Sequence, residues 1–125
     1  MVKSLTAIGI AILLLLGAGL FEWFYVEEQF SEFHEELASL YDKTDAGTAN
    51  GEDARAVMTS WENRKDDLHV WIPHNDITRV DDYMAETVRL IGEGEFSFAL
   101  AKLEILLHLS ETIPGTYKPG LENVF

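Results

Sequence analysis

Histidines and carboxylates recur at helical spacing in two places along this chain. Asp66 and His69 are three residues apart, and Glu104 and His108 are four apart, so each pair would lie on one face of a helix. Di-iron bundles also use Glu-x-x-His pairs, but these point into the core. Here both pairs lie opposite the apolar stripes of their helices. We therefore interpret them as solvated surface and predict no metal ligand, no cofactor and no catalytic residue.

A third histidine belongs to the segment Pro73-His74-Asn75-Asp76, a predicted turn between two helices. His74 is either a turn residue held at a helix N-terminus or a group that contacts a partner or responds to pH. The fourth, His34, is predicted to lie at the edge of a helix face. The sequence contains no nucleophile elbow, phosphate-binding loop, zinc-protease motif or calcium loop. It also has no cysteine, which excludes disulfides and thiolate chemistry.

The first structural element along the chain is an uncharged stretch from Ser4 to Phe21. Its 18 residues would span about 27 Å as a helix, close to the thickness of bilayer hydrocarbon. Aromatic residues follow at once, where an interfacial belt is expected: Trp23, Phe24 and Tyr25. The sequence therefore predicts a transmembrane signal-anchor helix over residues 1–25, which makes the lipid bilayer the first partner of the chain.

Two other interpretations of this stretch remain open. Lys3 and the small residues Gly17-Ala18-Gly19 would also suit a cleaved signal peptide, and a soluble protein could bury such a helix. If the anchor is retained, positive charge precedes it at Lys3 and three acidic residues follow it: Glu22, Glu27 and Glu28. The positive-inside rule then predicts a single-pass plasma membrane protein with a cytoplasmic N-terminus and an extracytoplasmic C-terminal domain.

The remainder of the chain is strongly acidic. Beyond Phe21, 22 acidic residues face 8 basic ones, since Lys3 is the one basic residue that precedes this point. This excess of negative charge disfavours nucleic acid as a partner, because phosphates require basic surfaces. It also disfavours peripheral binding to anionic lipid, so the anchor is expected to hold the protein at the membrane.

Apolar residues recur at intervals of three and four through most of this acidic region, a pattern typical of amphipathic helices. The first helix is predicted to run without a break from about residue 4 to 41, followed by a loop over 42–51. The second helix is predicted over about 52–72 and the fourth over about 95–112. The third lies between them in the sequence and is predicted to begin at a cap on Asn75 or Asp76. The predicted inward positions of the first two helices are Val26, Phe30, Phe33, Leu37 and Leu40, then Ala54, Met58, Trp61, Leu68 and Ile72. Those of the last two are Ile77, Val80, Met84, Thr87 and Ile91, then Phe96, Ala99, Leu103, Leu106 and Leu107.

This pattern predicts an all-α fold in which the transmembrane helix continues into a small antiparallel four-helix bundle over residues 26–113. Lys65, the one polar residue in the second stripe, is expected to lay its stem along the seam and reach a carboxylate. Pro114 and Gly115 are expected to end the last helix. The tail over 114–125 is then expected to pack near the membrane-proximal end.

The predicted helix lengths place several candidate contact residues at the membrane-proximal end of the bundle. The second helix is long enough to return to the membrane surface, which would place Trp71 and Ile72 at the headgroups. The turn after Pro73 and the apolar end of the tail are expected to lie at the same level. We therefore predict candidate partner contacts there: Trp71, His74, Asp76 and Phe125.

The arrangement resembles a family of short single-pass membrane proteins of Clostridia-type Firmicutes, described as a domain of unknown function. The similar segments are Phe21-Glu22-x-Phe24-Tyr25-Val26, Trp61 with Lys65, Ile72-Pro73-His74-Asn75-Asp76-Ile77, Leu103-Glu104, Leu106-Leu107, Ile113-Pro114 and Leu121-Glu122-Asn123-Val124-Phe125. The Asp42–Gly51 loop is longer and richer in glycine than that family leads us to expect. The resemblance implies a membrane-anchored helical domain and transfers no functional residue.

Together these features predict a non-enzymatic helical interaction or accessory module of the bacterial cell envelope, with a membrane or envelope protein as its partner. A metal-dependent enzyme that uses the surface histidine–carboxylate pairs is the alternative. A further alternative is an envelope sensor that signals through the first helix.

Overall fold

Four α-helices make up nearly all of the described part of the chain, residues 2–116 of the computed structural model. They are α1 (Val2–Asp45), α2 (Gly51–Leu68), α3 (His74–Gly92) and α4 (Phe96–Thr116). Each helix packs against the next in sequence, and α4 also packs against α1, so the four form a closed ring. Short connections make neighbours antiparallel. The predicted all-α fold with an antiparallel four-helix bundle is confirmed.

The N-terminal half of α1 projects from this bundle. Its large apolar side chains are exposed from Val2 to Phe21, and none of its most apolar 18-residue window is buried. This segment is long and apolar enough to cross a membrane. The interpretation as a buried helix of a soluble protein does not fit, because such a helix would be covered by the rest of the chain.

The second half of α1 supplies one wall of the core. All five of its predicted inward residues are buried, as are all five predicted on α3. Trp61 of α2 lies at the centre, where its ring stacks on Phe33 with 4.9 Å between ring centroids and meets Phe30 at 6.0 Å. This aromatic cluster joins α1 to α2 in the middle of the bundle. On α2, Met58 is only partly buried.

The end of α1 differs from the sequence-based prediction, whereas the start of α2 agrees with it to within one residue. α1 continues to Asp45 because Thr44 is buried and its hydroxyl donates to the Leu40 carbonyl at 2.7 Å. α2 begins at Gly51 behind a capping box, in which the Asn50 side chain and Asp53 each bond the other's backbone N–H. Two of the unsatisfied donors at the helix start are thereby satisfied.

The connection between α2 and α3 also differs. α2 ends at Leu68 rather than Ile72, and the backbone N–H groups of Trp71 and Ile72 turn back to the Leu68 carbonyl. Ile72 is nevertheless buried. α3 starts directly at His74, with Pro73 as its N-cap and without a side-chain cap, so the predicted cap at Asn75 or Asp76 is wrong. Proline's φ is compatible with a helix start, which allows this earlier beginning.

α4 extends past its predicted end, to Thr116, with Pro114 inside it. Pro114 has no N–H and cannot donate to the carbonyl of residue 110, but this interruption falls in the last turn of the helix. Phe96, predicted to face inward at the start of the helix, is only partly buried. The inward face also departs from the prediction in the second half of the helix. Leu107 is only partly buried, and Leu109, Ser110 and Ile113 are buried instead. The predicted packing of the tail and the contact at Phe125 concern residues 117–125, which lie outside the described part.

Candidate interaction surfaces

The turn between α2 and α3 carries most of the residues that the sequence singled out for partner contact. Trp71 lies in this turn with 39 % of its surface exposed, beside Val70 with 67 %. His74 is exposed at the start of α3, and its Nε2 lies 3.4 Å from the Thr78 hydroxyl. Asp76 is half-buried and lies 3.9 Å from Arg79. A contact of these residues with a partner stays a prediction.

This turn is tied to the point where α1 leaves its apolar segment. The Tyr25 hydroxyl donates a hydrogen bond of 3.2 Å to Asp67 Oδ2, in the last turn of α2. The prediction that the second helix returns to the level of the aromatic belt agrees with this contact. The helix that reaches this level has 18 residues and is shorter than the predicted one.

A cleft between α1 and α2 is a second candidate surface, and the sequence analysis did not identify it. It is open to solvent, has a volume of about 580 Å³ and lies along Glu32–Lys43 of α1 and Asp53–Arg64 of α2. Its floor includes Leu40 and Val57, and its rim carries carboxylates. Lys43 closes one end by pairing with Asp53 at 3.4 Å.

Arg64 closes the other end of the cleft. Its guanidinium donates to Gln29 at 2.7 Å, to Glu32 at 2.8 Å and to Glu36 at 2.9 Å, and only 13 % of the side chain is exposed. Burial by itself lowers the pKa of this group. The bonds to Glu32 and Glu36 outweigh burial and raise the pKa above its usual value.

Two atoms of this cluster retain unused hydrogen-bonding capacity. Arg64 Nε and Glu36 Oε2 are buried atoms without a hydrogen-bond partner within residues 2–116, and both residues line the cleft. Both atoms have almost no solvent-exposed surface, so a molecule in the cleft can reach them only if the surrounding side chains move. The one sequence signal for this cluster was the i, i+4 pair Glu32 and Glu36 on α1, which becomes informative only when Arg64 is known to face it.

A partly buried polar contact also crosses from α2 to α3. Trp61 Nε1–H donates to Asp81 Oδ1 at 2.8 Å, and Lys65 Nζ lies 3.2 Å from the same oxygen. The prediction that Lys65 reaches a neighbouring carboxylate is confirmed. The bond to the Trp61 indole was not predicted, because sequence periodicity does not show which carboxylate faces the ring.

His34, Ser110 and Glu111 lie together in a manner that resembles part of a hydrolase triad. His34 Nδ1 is 2.8 Å from Ser110 Oγ, and His34 Nε2 is 3.7 Å from Glu111. However, the Ser110 hydroxyl donates to the Leu107 carbonyl at 2.7 Å. Its oxygen therefore accepts from His34, whereas a nucleophilic serine must give its proton to the imidazole. We interpret the cluster as a link between α1 and α4.

The surface histidines show no metal-binding arrangement. His69 and His108 are both exposed, and His69 Nδ1 contacts the backbone carbonyl of Asp66 rather than its carboxylate. Across residues 2–116, His, Asp and Glu side chains form no group of three or more that could hold a metal ion.

Comparison of this chain with protein families, curated proteins and solved structures finds no match. The resemblance to the Firmicutes family of single-pass proteins therefore stays a prediction, and functional proposals rest on the geometry alone.

Proposed function

We propose that this protein is a non-enzymatic, membrane-anchored module of the bacterial cell envelope, which binds another envelope protein through the cleft between α1 and α2. Its N-terminus is cytoplasmic and its bundle is extracytoplasmic. The observation that carries the proposal is the cleft itself, an open groove with an apolar floor and a carboxylate rim.

The chemistry of the cleft favours a particular kind of partner. Four carboxylates line it, against the two cations Lys43 and Arg64, and both cations already pair with residues of the protein. A partner segment with a basic side chain and an apolar neighbour would complement the rim and the floor. Glu35 is the carboxylate best placed to attract it, because it is exposed on the rim and, unlike the other three, does not pair with Arg64 or Lys43.

The continuity of α1 gives this cleft a defined position. One helix contains both the apolar segment and one wall of the cleft, so the cleft is held at a constant height above the membrane.

The same continuity supports the sensor hypothesis, because an unbroken helix can transmit a rotation or a shift. A flexible Gly-Gly insertion after Phe21 would abolish signalling but not partner binding, and measurement of both separates the two functions.

Site-specific photo-crosslinking tests the proposal. A photoreactive amino acid at Ala56, an exposed residue that lines the cleft, should crosslink a membrane or envelope protein in living cells. The matched control is Ala85, exposed on α3. Glu35→Lys should weaken the crosslink at position 56, whereas Glu95→Lys, a charge reversal at an exposed position outside the cleft, should not.

Three results would contradict this proposal. Equal crosslinking from positions 56 and 85, or a crosslink at 56 that Glu35→Lys leaves unchanged, would show that the cleft is not the binding surface. Stoichiometric iron, zinc or manganese in the purified protein, lost on His69→Ala or His108→Ala, would favour the metal-enzyme alternative.

A further inference from the structure

Val70 and Trp71, here called the hairpin tip, are two apolar residues exposed in the turn between α2 and α3. Turns at a protein surface are usually polar, and the neighbours Leu68 and Ile72 are already buried in the core. The exposure of the hairpin tip is therefore not explained by the packing of the bundle.

The position of the hairpin tip along α1 follows from one contact. The bond from Tyr25 to Asp67 aligns the last turn of α2 with the start of the bundle on α1. Because the helices are antiparallel, the residues after Asp67 lie further toward the N-terminus of α1. Phe21 lies one turn below Tyr25 on the same face and is 71 % exposed. The hairpin tip thus lies at the level of the last turn of the apolar segment.

The side chains at this level have the chemistry of a membrane interface. Trp23 and Phe24 form an aromatic pair with ring centroids 4.9 Å apart, on the same stretch of α1. Tryptophan favours the headgroup layer because its ring is apolar and its N–H is polar. The acidic domain offers no electrostatic attraction to anionic lipid, so a contact here must be apolar.

We propose that the hairpin tip inserts into the headgroup layer of the bilayer that α1 crosses. The inference rests on the anchor in the proposed function. The protein then contacts the membrane at two points, the span and the tip, and the second contact prevents the bundle from tilting. The occupant is lipid because the exposed apolar surface of the tip continues that of the anchor at the same level.

Fluorescence quenching tests this contact in the full-length protein. The chain has no cysteine, so His69→Cys gives one labelling site beside an unaltered hairpin tip. Control labels are placed at Leu14→Cys, in the apolar segment, and at Ser97→Cys, at the opposite end of the bundle. In phosphatidylcholine vesicles, lipids with a nitroxide near the headgroup should quench label 69, deep nitroxides should quench label 14, and label 97 should stay bright.

Substitution of the hairpin tip shows whether the native side chains are responsible. Val70→Ser with Trp71→Ser should abolish the quenching of label 69 without loss of helical circular dichroism, because both residues are exposed. Removal of residues 117–125 should leave that quenching unchanged.

Each other outcome overturns the inference in a distinguishable way. If label 14 is quenched and label 69 is not, the anchor stands and the tip does not reach lipid. If label 14 also remains bright, the anchor itself is wrong. Quenching that survives the double substitution, or that disappears when residues 117–125 are removed, would assign the contact to another segment.

Discussion

Trp61 combines two interactions that stabilise the bundle in different ways. Its ring fills the centre of the core against Phe30 and Phe33, and only 1 % of the residue is exposed. Its indole N–H also donates a hydrogen bond to Asp81 on α3. One side chain of α2 thus contacts both α1 and α3. Removal of the ring should therefore cost far more than removal of the hydrogen bond.

Trp61→Ala should lower the free energy of unfolding by about 3–5 kcal/mol, the usual cost of emptying a large aromatic site. Trp61→Phe keeps most of the ring and should cost about 1 kcal/mol for the lost bond to Asp81. Chemical denaturation of the full-length protein in detergent micelles, followed by circular dichroism, measures both. Glu62→Ala is the control, since Glu62 is exposed. An equal loss at positions 61 and 62 would contradict the placement of the ring.

Arg64 shows how one cation can join two acidic helices. Arg64→Ala should reduce stability by about 1–3 kcal/mol, because Glu32 and Glu36 lose the cation that pairs with both. Within residues 2–116, Glu36 then keeps only the Ser60 hydroxyl as a donor. Arg64→Lys should recover only part of this loss, since an ammonium group lacks the planar fork that binds several acceptors. The same denaturation experiment checks both variants against Arg55→Ala, a change at an exposed position. No difference between positions 55 and 64 would be evidence against this cluster.

At the scale of the elements, the hairpin between α3 and α4 depends on a backbone conformation that favours glycine. Gly94 has a φ of 76°, and its N–H bonds the Ile91 carbonyl at 3.1 Å. Gly92 ends α3 and has open space where a side chain would be. Two glycines in one turn therefore have different structural roles.

Gly94→Ala should destabilise the protein by about 1–2 kcal/mol, the cost of a left-handed conformation for a residue with a Cβ. Gly92→Ala should be neutral or stabilising by up to about 1 kcal/mol, because alanine favours the helix. Thermal denaturation of the two variants in parallel measures the contrast. Destabilisation by both would mean that Gly92 also needs its conformational freedom.

At the scale of the whole molecule, the charges on either side of the apolar segment predict the orientation of the protein. Lys3 precedes the apolar segment and acidic residues follow it, so we expect the N-terminus to remain in the cytoplasm. Alkaline phosphatase fused after Phe125 should be active, whereas a cytoplasmic reporter at that position should not. The purified protein should retain Met1 by intact mass. A mature N-terminus near Leu20 would instead demonstrate a cleaved signal peptide.

The spacing of apolar residues along the sequence was sufficient to predict the helices and much of the core. The stripe on α3 and the stripe on the bundle half of α1 were predicted residue by residue, because a three-four spacing of apolar side chains leaves one face that can be buried. The apolar segment of α1 was equally clear from the sequence, since its length and lack of charge need no tertiary information.

The tertiary structure decided where helices end and which polar groups meet. α1 and α4 continue past their predicted ends because Thr44 and Ile113 are buried against other helices, an effect that local propensity does not contain. The partners of Trp61 and Arg64 come from α3 and α1, at a sequence separation of 20 or more residues. Their identity depends on the register of neighbouring helices, and that register exists only once the bundle has packed.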